Sequence, residues 1–176
     1  MRTLLVTVGT TSFDELIRKL DSVAFVEKVG HGDEKFDEVL FQIGRGDYEP
    51  LYLQGLMENR RLPFEFKWFR FVPDLSVLIE KSSAVVSHCG AGTILEVLDR
   101  CMACDLVVAV NETLMGNHQT ELAEALYARD LCQVVYPANF LNFTFSIEQR
   151  RGIRGIEREV MPDLFPQAID EAMGFS

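Results

Sequence analysis

The 176-residue chain is 48% hydrophobic and 25% charged, ordinary globular usage that excludes a disordered or fibrous chain and is enough to bury one core. With 17 basic against 27 acidic residues its formal charge is −10, which excludes nonspecific attraction to nucleic acid or anionic lipid, so any phosphate must be held by local donors. The longest apolar run, 106–110, is far short of the roughly 20 residues that cross a bilayer, residues 1–3 begin no signal peptide, and the four cysteines lack the second CxxC or His pair of a zinc site; the chain is expected to be soluble and to face the cytosol.

Residues 3–8 form an apolar, β-branched run that reads as a strand. Gly9-Thr10-Thr11-Ser12 then leads into a helical pattern at 13–20, with Leu16, Ile17 and Leu20 on one face. Ser12 and Glu15 have capping-box spacing. A second strand, 39–43, runs into Gly44-Arg45-Gly46, a turn that adds a cation. The aromatic stretch 44–71 shows no clear period, and within it 66–71 is expected as a further strand. A helix at 74–81, a strand at 84–87 and a helix at 93–100 follow. Next come a strand at 106–110, a helix at 118–129 with Leu122, Ala125 and Leu126 on one face, and a strand at 133–136. The strands are almost continuously apolar, as when both faces are buried, and they alternate with helices. The pattern predicts an α/β fold with a doubly wound, mainly parallel sheet. Cys101 and Cys104 make a CxxC pair between a helix and a buried strand, away from any helix N-terminus that would lower a thiol pKa, which disfavours redox chemistry. Beyond 136 the sheet pattern ends. The chain divides into a 1–143 α/β domain and a 144–176 extension, arginine-rich at first and then amphipathic at 163–173 through Leu164, Ile169, Ala172 and Met173. That last segment either docks on its own sheet or holds a partner.

Chemistry concentrates in the loops that follow strands. In SHCGAGTILE, residues 87–96, glycines 90 and 92 let the backbone approach a ligand closely. The helix expected near Thr93 offers unpaired N–H groups and a positive dipole end to a diphosphate, with no metal required. The competing reading is self-contained: Thr93 and Glu96 also have capping-box spacing and would satisfy the helix end themselves. His88 would offset phosphate charge when protonated, although a lone histidine is more often a satisfied core residue. Glu96 is placed to accept both hydroxyls of a ribose. The second loop, NETLMGNHQ at 111–119, packs Asn111, Glu112, Asn117, His118 and Gln119 together, a donor and acceptor density suited to sugar hydroxyls and an amide, with Asn117 as a helix N-cap. Four loops at the carboxyl ends of parallel strands should converge on one crevice. No GxxxxGK[ST] occurs, and the first turn lacks the glycine triplet of a dinucleotide fold.

These motifs carry a resemblance. VTVGTTSFDELI at 6–17, QIGRG at 42–46, SHCGAGTILE, VNETLMGNHQTELA at 110–123 and DEAMGF at 170–175 are similar, in this order, to the soluble catalytic subunits of the two-part UDP-N-acetylglucosamine transferase of dolichol-linked oligosaccharide synthesis. The chain also resembles the C-terminal, donor-binding half of GT-B glycosyltransferases. The resemblance implies a Rossmann-like half that binds UDP-N-acetylglucosamine. It implies inverting transfer to N-acetylglucosaminyl-diphosphodolichol, giving chitobiosyl-diphosphodolichol, and no cofactor. A membrane-anchored partner would supply the other half of the cleft and the lipid-linked acceptor, recruiting this subunit to the cytosolic face of the endoplasmic reticulum. On the same resemblance Glu96 holds the ribose, the turn Gly90-Ala91-Gly92-Thr93 the diphosphate, and His118 with Gln119 the sugar, while Gly9, Thr10 and Thr11 line the opposite side. Cys89, Thr93 and Gly116 depart mildly from the usual pattern, and Met102-Ala103-Cys104-Asp105 replaces a usual Gly-Lys-Pro turn. No catalytic base is assigned: Glu112 and His118 are candidates, and the partner could supply it. The rival expectations are a nucleotide-sugar-binding scaffold without turnover and an NAD-dependent oxidoreductase.

Overall fold

A computed structural model describes residues 1–32, 35–101, 104–112 and 118–145. The elements run β1 (Thr3–Thr7), α1 (Asp14–Leu20), α2 (Val23–Gly30), β2 (Glu38–Gln42), α3 (Leu51–Glu58), β3 (Glu65–Phe69), α4 (Ser76–Lys81), β4 (Ala84–His88), α5 (Ala91–Arg100), β5 (Asp105–Ala109), α6 (His118–Tyr127) and β6 (Gln133–Val135). A 3₁₀ turn follows at Pro137–Asn139. The six strands form one sheet in the order β3-β2-β1-β4-β5-β6, and every pair is parallel. β1, β4 and β5 are buried along their whole length. This is why they read as unbroken apolar runs: a central strand with helices on both faces has no wet side to mark with polar residues.

The pleat divides the core in two. Leu4, Val6 and Val8 point to one face with Phe41, Val86 and Val107, while Leu5 points to the other with Val85, Leu106 and Val108. The first face is covered by α1, α2 and α3 through Leu16, Leu20, Phe25 and Leu53, the second by α4, α5 and α6 through Ile79, Ile94, Val97 and Leu122. The first face is aromatic. Phe41 meets Phe25 at 5.7 Å and Phe66 at 5.2 Å between centroids, both edge-to-face. After β6 the chain returns to this face, and Phe140 stands edge-on to Phe13 at 5.5 Å, with Phe143 and Phe145 also buried.

Two helices, α2 and α3, were not expected, and each has a physical reason. Ser22 caps α2 by accepting from Phe25 N–H at 3.3 Å. α3 is capped from a distance: the Asp21 carboxylate, 7% exposed, accepts from Tyr52 N–H at 3.2 Å, Leu53 N–H at 2.8 Å and Tyr48 Oη–H at 2.8 Å. A cap thirty residues upstream leaves no local signature. Asp21→Asn keeps the shape but removes the charge and one acceptor, and should lower the unfolding free energy by about 1–2 kcal/mol. An unchanged urea midpoint would show that the cap contributes nothing.

The capping box expected at Ser12 and Glu15 does not form. α1 begins at Asp14 after Phe13, with no side-chain cap, because burying the Phe13 ring against Phe140 sets the chain's entry angle.

Candidate functional site

The sheet order places β1 beside β4, and the connections leave these two strands in opposite directions, α1 to one face and α5 to the other. A crevice opens above their carboxyl ends, where such folds take ligands. It is a cavity of about 530 Å³. Gly9 and Thr10 after β1 form one side; His88 at the end of β4, then Gly90, Ala91, Gly92, Thr93 and Glu96, form the other. Gln42 lies at the floor, and Phe71, Val72 and Leu75 after β3 make an apolar wall.

Gln42, 3% exposed, ties three loops together. Its Oε1 accepts from Thr7 Oγ1 at 2.5 Å, and its Nε2 donates to Gly9 O and to Arg70 O, each at 2.6 Å. Thr7 Oγ1 in turn accepts from Gly9 N–H at 3.1 Å. Both amide donors are therefore committed, and they tie the turns after β1 and β3 to the end of β2.

His88 is 7% exposed and sits between two glycines. A Cβ on Gly9 would stand 2.6 Å from His88 Cε1, and one on Gly90 would overlap Nε2. Gly9 also has φ +62°, a left-handed conformation that favours glycine. These glycines are explained by the ring they flank, whereas Gly92 has nothing within 4 Å of its missing Cβ and faces open space. Among the described residues His88 Nδ1 is buried without a hydrogen-bond partner. Burial lowers the His88 pKa, with the Thr7 backbone opposing the shift. In the unliganded crevice burial thus favours the neutral ring, which offers a hydrogen bond, while a phosphate beside it would favour the charged form.

The capping box expected at Thr93 and Glu96 is also corrected. Gly90 is the N-cap of α5, with no side-chain cap bond. The turn is tight because Gly90 N–H donates to His88 O at 2.8 Å, and Ile94 N–H to Gly90 O at 3.0 Å opens the helical ladder. Thr93 is then the third helical residue and Glu96 lies a turn further on, so neither can close the end. Ala91, Gly92 and Thr93, which carry the first N–H groups of α5, line the cavity. Glu96 keeps one contact, 3.5 Å to Arg100 Nε, and is about a third exposed.

Among the described residues, Thr11, Arg45, Asn111, Glu112 and Gln119 do not line this cavity. Thr11 Oγ1 donates to Val8 O at 2.9 Å, and Thr11 O accepts from Arg45 N–H at 2.9 Å, so Thr11 braces the loops. Gln119 Oε1 accepts from Asn111 N–H at 3.1 Å, and Gln119 O accepts from Cys89 Sγ at 3.0 Å, stitching the end of β5 and the turn after β4 to α6. Glu112 is exposed beside Asn111. Asn117 and the His118 side chain lie outside the described residues, as does the segment from 146 on. Sequence reasoning missed Gln42, Phe71, Val72 and Leu75. For Gln42 the signal was there, a polar residue closing an otherwise apolar strand. Burial pushes Cys89 and Cys132 up to about 12, and a hydrogen bond with Cys101 together with burial raises Cys104, which favours the protonated thiol at these three positions.

Comparison with known proteins bears on this site. The profile of the glycosyltransferase family 28 C-terminal domain matches residues 3–141. The human UDP-N-acetylglucosamine transferase subunit ALG13 is 39% identical over 132 residues, 72% of this chain and 10% of that protein's length. The protein of the same name in Cryptococcus neoformans is 28% identical over 197 residues, 98% of this chain and 97% of its own. The solution NMR structure of ALG13 superposes with a TM-score of 0.56 at 20% identity, over 90% of this chain and 86% of its own. MurG of Acinetobacter baumannii gives 0.60 at 15% identity, over 96% of this chain and 45% of its own. At these identities the two structures speak to the fold.

Proposed function

Since the chain belongs to the glycosyltransferase family 28 C-terminal-domain family, we propose that its crevice holds UDP-N-acetylglucosamine and that, as one subunit of a two-part enzyme, it passes the sugar to N-acetylglucosaminyl-diphosphodolichol with inversion, giving chitobiosyl-diphosphodolichol. The observation that carries the reading is the α5 terminus: without a side-chain cap, opened by Gly90 and lining a cavity beside a buried histidine with an unpartnered nitrogen. Amide N–H groups and a helix dipole bind a diphosphate without any cationic side chain, which suits a chain of charge −10. The names of the relatives support the donor and the subunit character.

The donor is then laid out along the crevice. The diphosphate sits at Gly90 to Thr93 with His88 donating or accepting at its side. Glu96, one turn along α5, accepts from the ribose hydroxyls, and the wall of Phe71, Val72 and Leu75 takes the flat base. The sugar projects toward the loop 111–119, where Asn111, Glu112, Asn117, His118 and Gln119 are proposed to read it. In inverting transfer a base removes the acceptor's proton on the face opposite the leaving UDP, and negative charge grows on the diphosphate as the glycosidic bond breaks. The α5 amides already point where that charge appears and need no reorganisation. The base comes either from loop 111–119 or from the partner. Among the described residues no helix is long and apolar enough to cross a membrane, which accords with a membrane-anchored partner that brings this subunit to the cytosolic face of the endoplasmic reticulum. The extension 144–176 is proposed to dock that partner.

A thermal-shift panel of UDP, UDP-N-acetylglucosamine, UDP-glucose, ADP and NAD tests the reading. At a hundred times its dissociation constant a ligand adds about 2.7 kcal/mol, so UDP and UDP-N-acetylglucosamine should raise the melting temperature most. Greater protection by NAD would sink the proposal. Glu96→Gln leaves one neutral acceptor in place of a carboxylate and should weaken UDP about tenfold by calorimetry. The fold should be unaffected, because the exposed contact with Arg100 is worth little. Equal UDP affinity in a folded variant would remove Glu96 from the ribose site.

A further inference from the structure

Gln42 is an unusual residue for its place. Its neighbours Val39, Leu40, Phe41 and Ile43 are all buried and apolar, and an amide that is 3% exposed has to satisfy its polar atoms away from water. An apolar side chain here would simply extend the core. Gln42 instead turns both amide donors on the carbonyls of two turns, Gly9 O and Arg70 O.

Arg70 opens the turn after β3. Its carbonyl also accepts from Gly44 N–H at 3.2 Å, while its guanidinium donates to Gly46 O at 2.5 Å and pairs with Glu49 at 3.0 Å. At the far end of the turn Asp74 accepts from Ser76 N–H at 2.9 Å. Pro73 lies between, with a fixed φ, and it disfavours helical backbone at Val72. The two residues between these anchors, Phe71 and Val72, belong to neither half of the core. Phe71 is 52% exposed, and both line the cavity. Core packing therefore does little to place these side chains, and the hydrogen bonds at the two ends of the turn do it. A half-exposed phenyl ring on a braced turn, in the same cavity as a helix terminus, is a surface for a flat apolar group.

We propose that Gln42 and Arg70 are positioning residues for the nucleoside end of the donor, acting through the turn they brace, which presents Phe71 to the base at a set span from the α5 terminus. The inference rests on the transferase reading above, in which the wall after β3 takes the base, and it names what gives that wall its place. The diphosphate is fixed by the α5 amides, so the base meets the ring only if the turn stands at the matching distance. A gap of about 0.5–1 Å already forfeits a quarter to a half of a dispersion contact, and a support left loose forfeits the preorganisation.

The test is a double-mutant cycle in UDP affinity, measured by calorimetry on the full chain. Phe71→Ala should weaken UDP about fivefold to tenfold. Gln42→Met, close in volume but without amide donors, should weaken it to a similar degree. So should Arg70→Met, which alters a side chain 41% exposed and carries the test should Gln42→Met fail to fold. Adding Phe71→Ala to either variant should lower the affinity by no more than about twofold further, because a turn already out of place has little contact left to lose. A residue that only stabilised the fold, or a charge that attracted UDP from a distance, would give losses that multiply. Multiplying losses overturn the inference, as does wild-type affinity in a folded Gln42→Met or in Arg70→Met. Wild-type affinity in Phe71→Ala overturns it too, since the base would then lie elsewhere with UDP still the ligand. A wild-type chain that takes no UDP defeats the transferase reading itself, a result distinct from the others.

Discussion

Replacing Gly90 by alanine should yield a folded chain, less stable by about 1–3 kcal/mol, that has lost UDP binding by more than tenfold. The backbone itself tolerates alanine, since Gly90 has φ −111° and ψ 119°. The obstacle is the His88 ring, whose Nε2 a methyl group would overlap and whose Cε1 would stand 2.8 Å from it. The ring has little room to retreat, because the Gly9 backbone also lies against it, near enough that a Cβ there would stand 2.6 Å from Cε1. Either the imidazole leaves its slot or the first turn of α5 shifts, and overpacking of this kind costs about 1–3 kcal/mol. Both escapes disturb the amides that face the cavity, so affinity suffers together with stability. The double variant Gly90→Ala with His88→Ala separates the two effects. It restores the space, so stability should recover beyond the sum of the single changes, while UDP binding stays weak for want of the imidazole. Urea unfolding and calorimetry on the three variants decide it. Wild-type stability and affinity in Gly90→Ala would mean that the slot between the glycines is not tight.

The second large effect is expected at Phe41. It is fully buried on β2 and meets Phe25 of α2 and Phe66 of β3 edge-to-face. Truncation to alanine removes the ring and both pairings and leaves a cavity between sheet and helix, at a cost of about 3–5 kcal/mol. That is a large share of the stability of a domain this size. Phe41→Leu retains most of the volume and should cost appreciably less. A urea midpoint displaced by under about 1 kcal/mol in Phe41→Ala would show that the aromatic face can collapse around the gap.

The two predictions draw on parts of the molecule that differ in how openly the sequence declares them. Central strands such as residues 84–88 and 105–109 were legible because burial on both faces demands unbroken apolar side chains, and that demand is written locally. So was the glycine-bearing turn before α5, since backbone that must approach another group closely has few residue choices. The register of the helix behind that turn was not. Thr93 and Glu96 satisfy the capping-box spacing, but Gly90 begins the helix three residues earlier because its N–H is already committed to His88 O.

Composition, order of elements and motif spacing alone determined that this is a wound α/β chain with a polar crevice at its strand ends. Which groups face that crevice was decided only by tertiary structure. Asp21 capping α3, Gln42 bonded to Thr7, Gly9 and Arg70, the wall of Phe71, Val72 and Leu75, and the bond from Arg45 N–H to Thr11 O all depend on contacts between segments distant along the chain. Local sequence carries the propensities and the periodicity of burial. The partners of a hydrogen bond or a ring are chosen by the sheet order, which brings β1 and β4 together across some eighty residues.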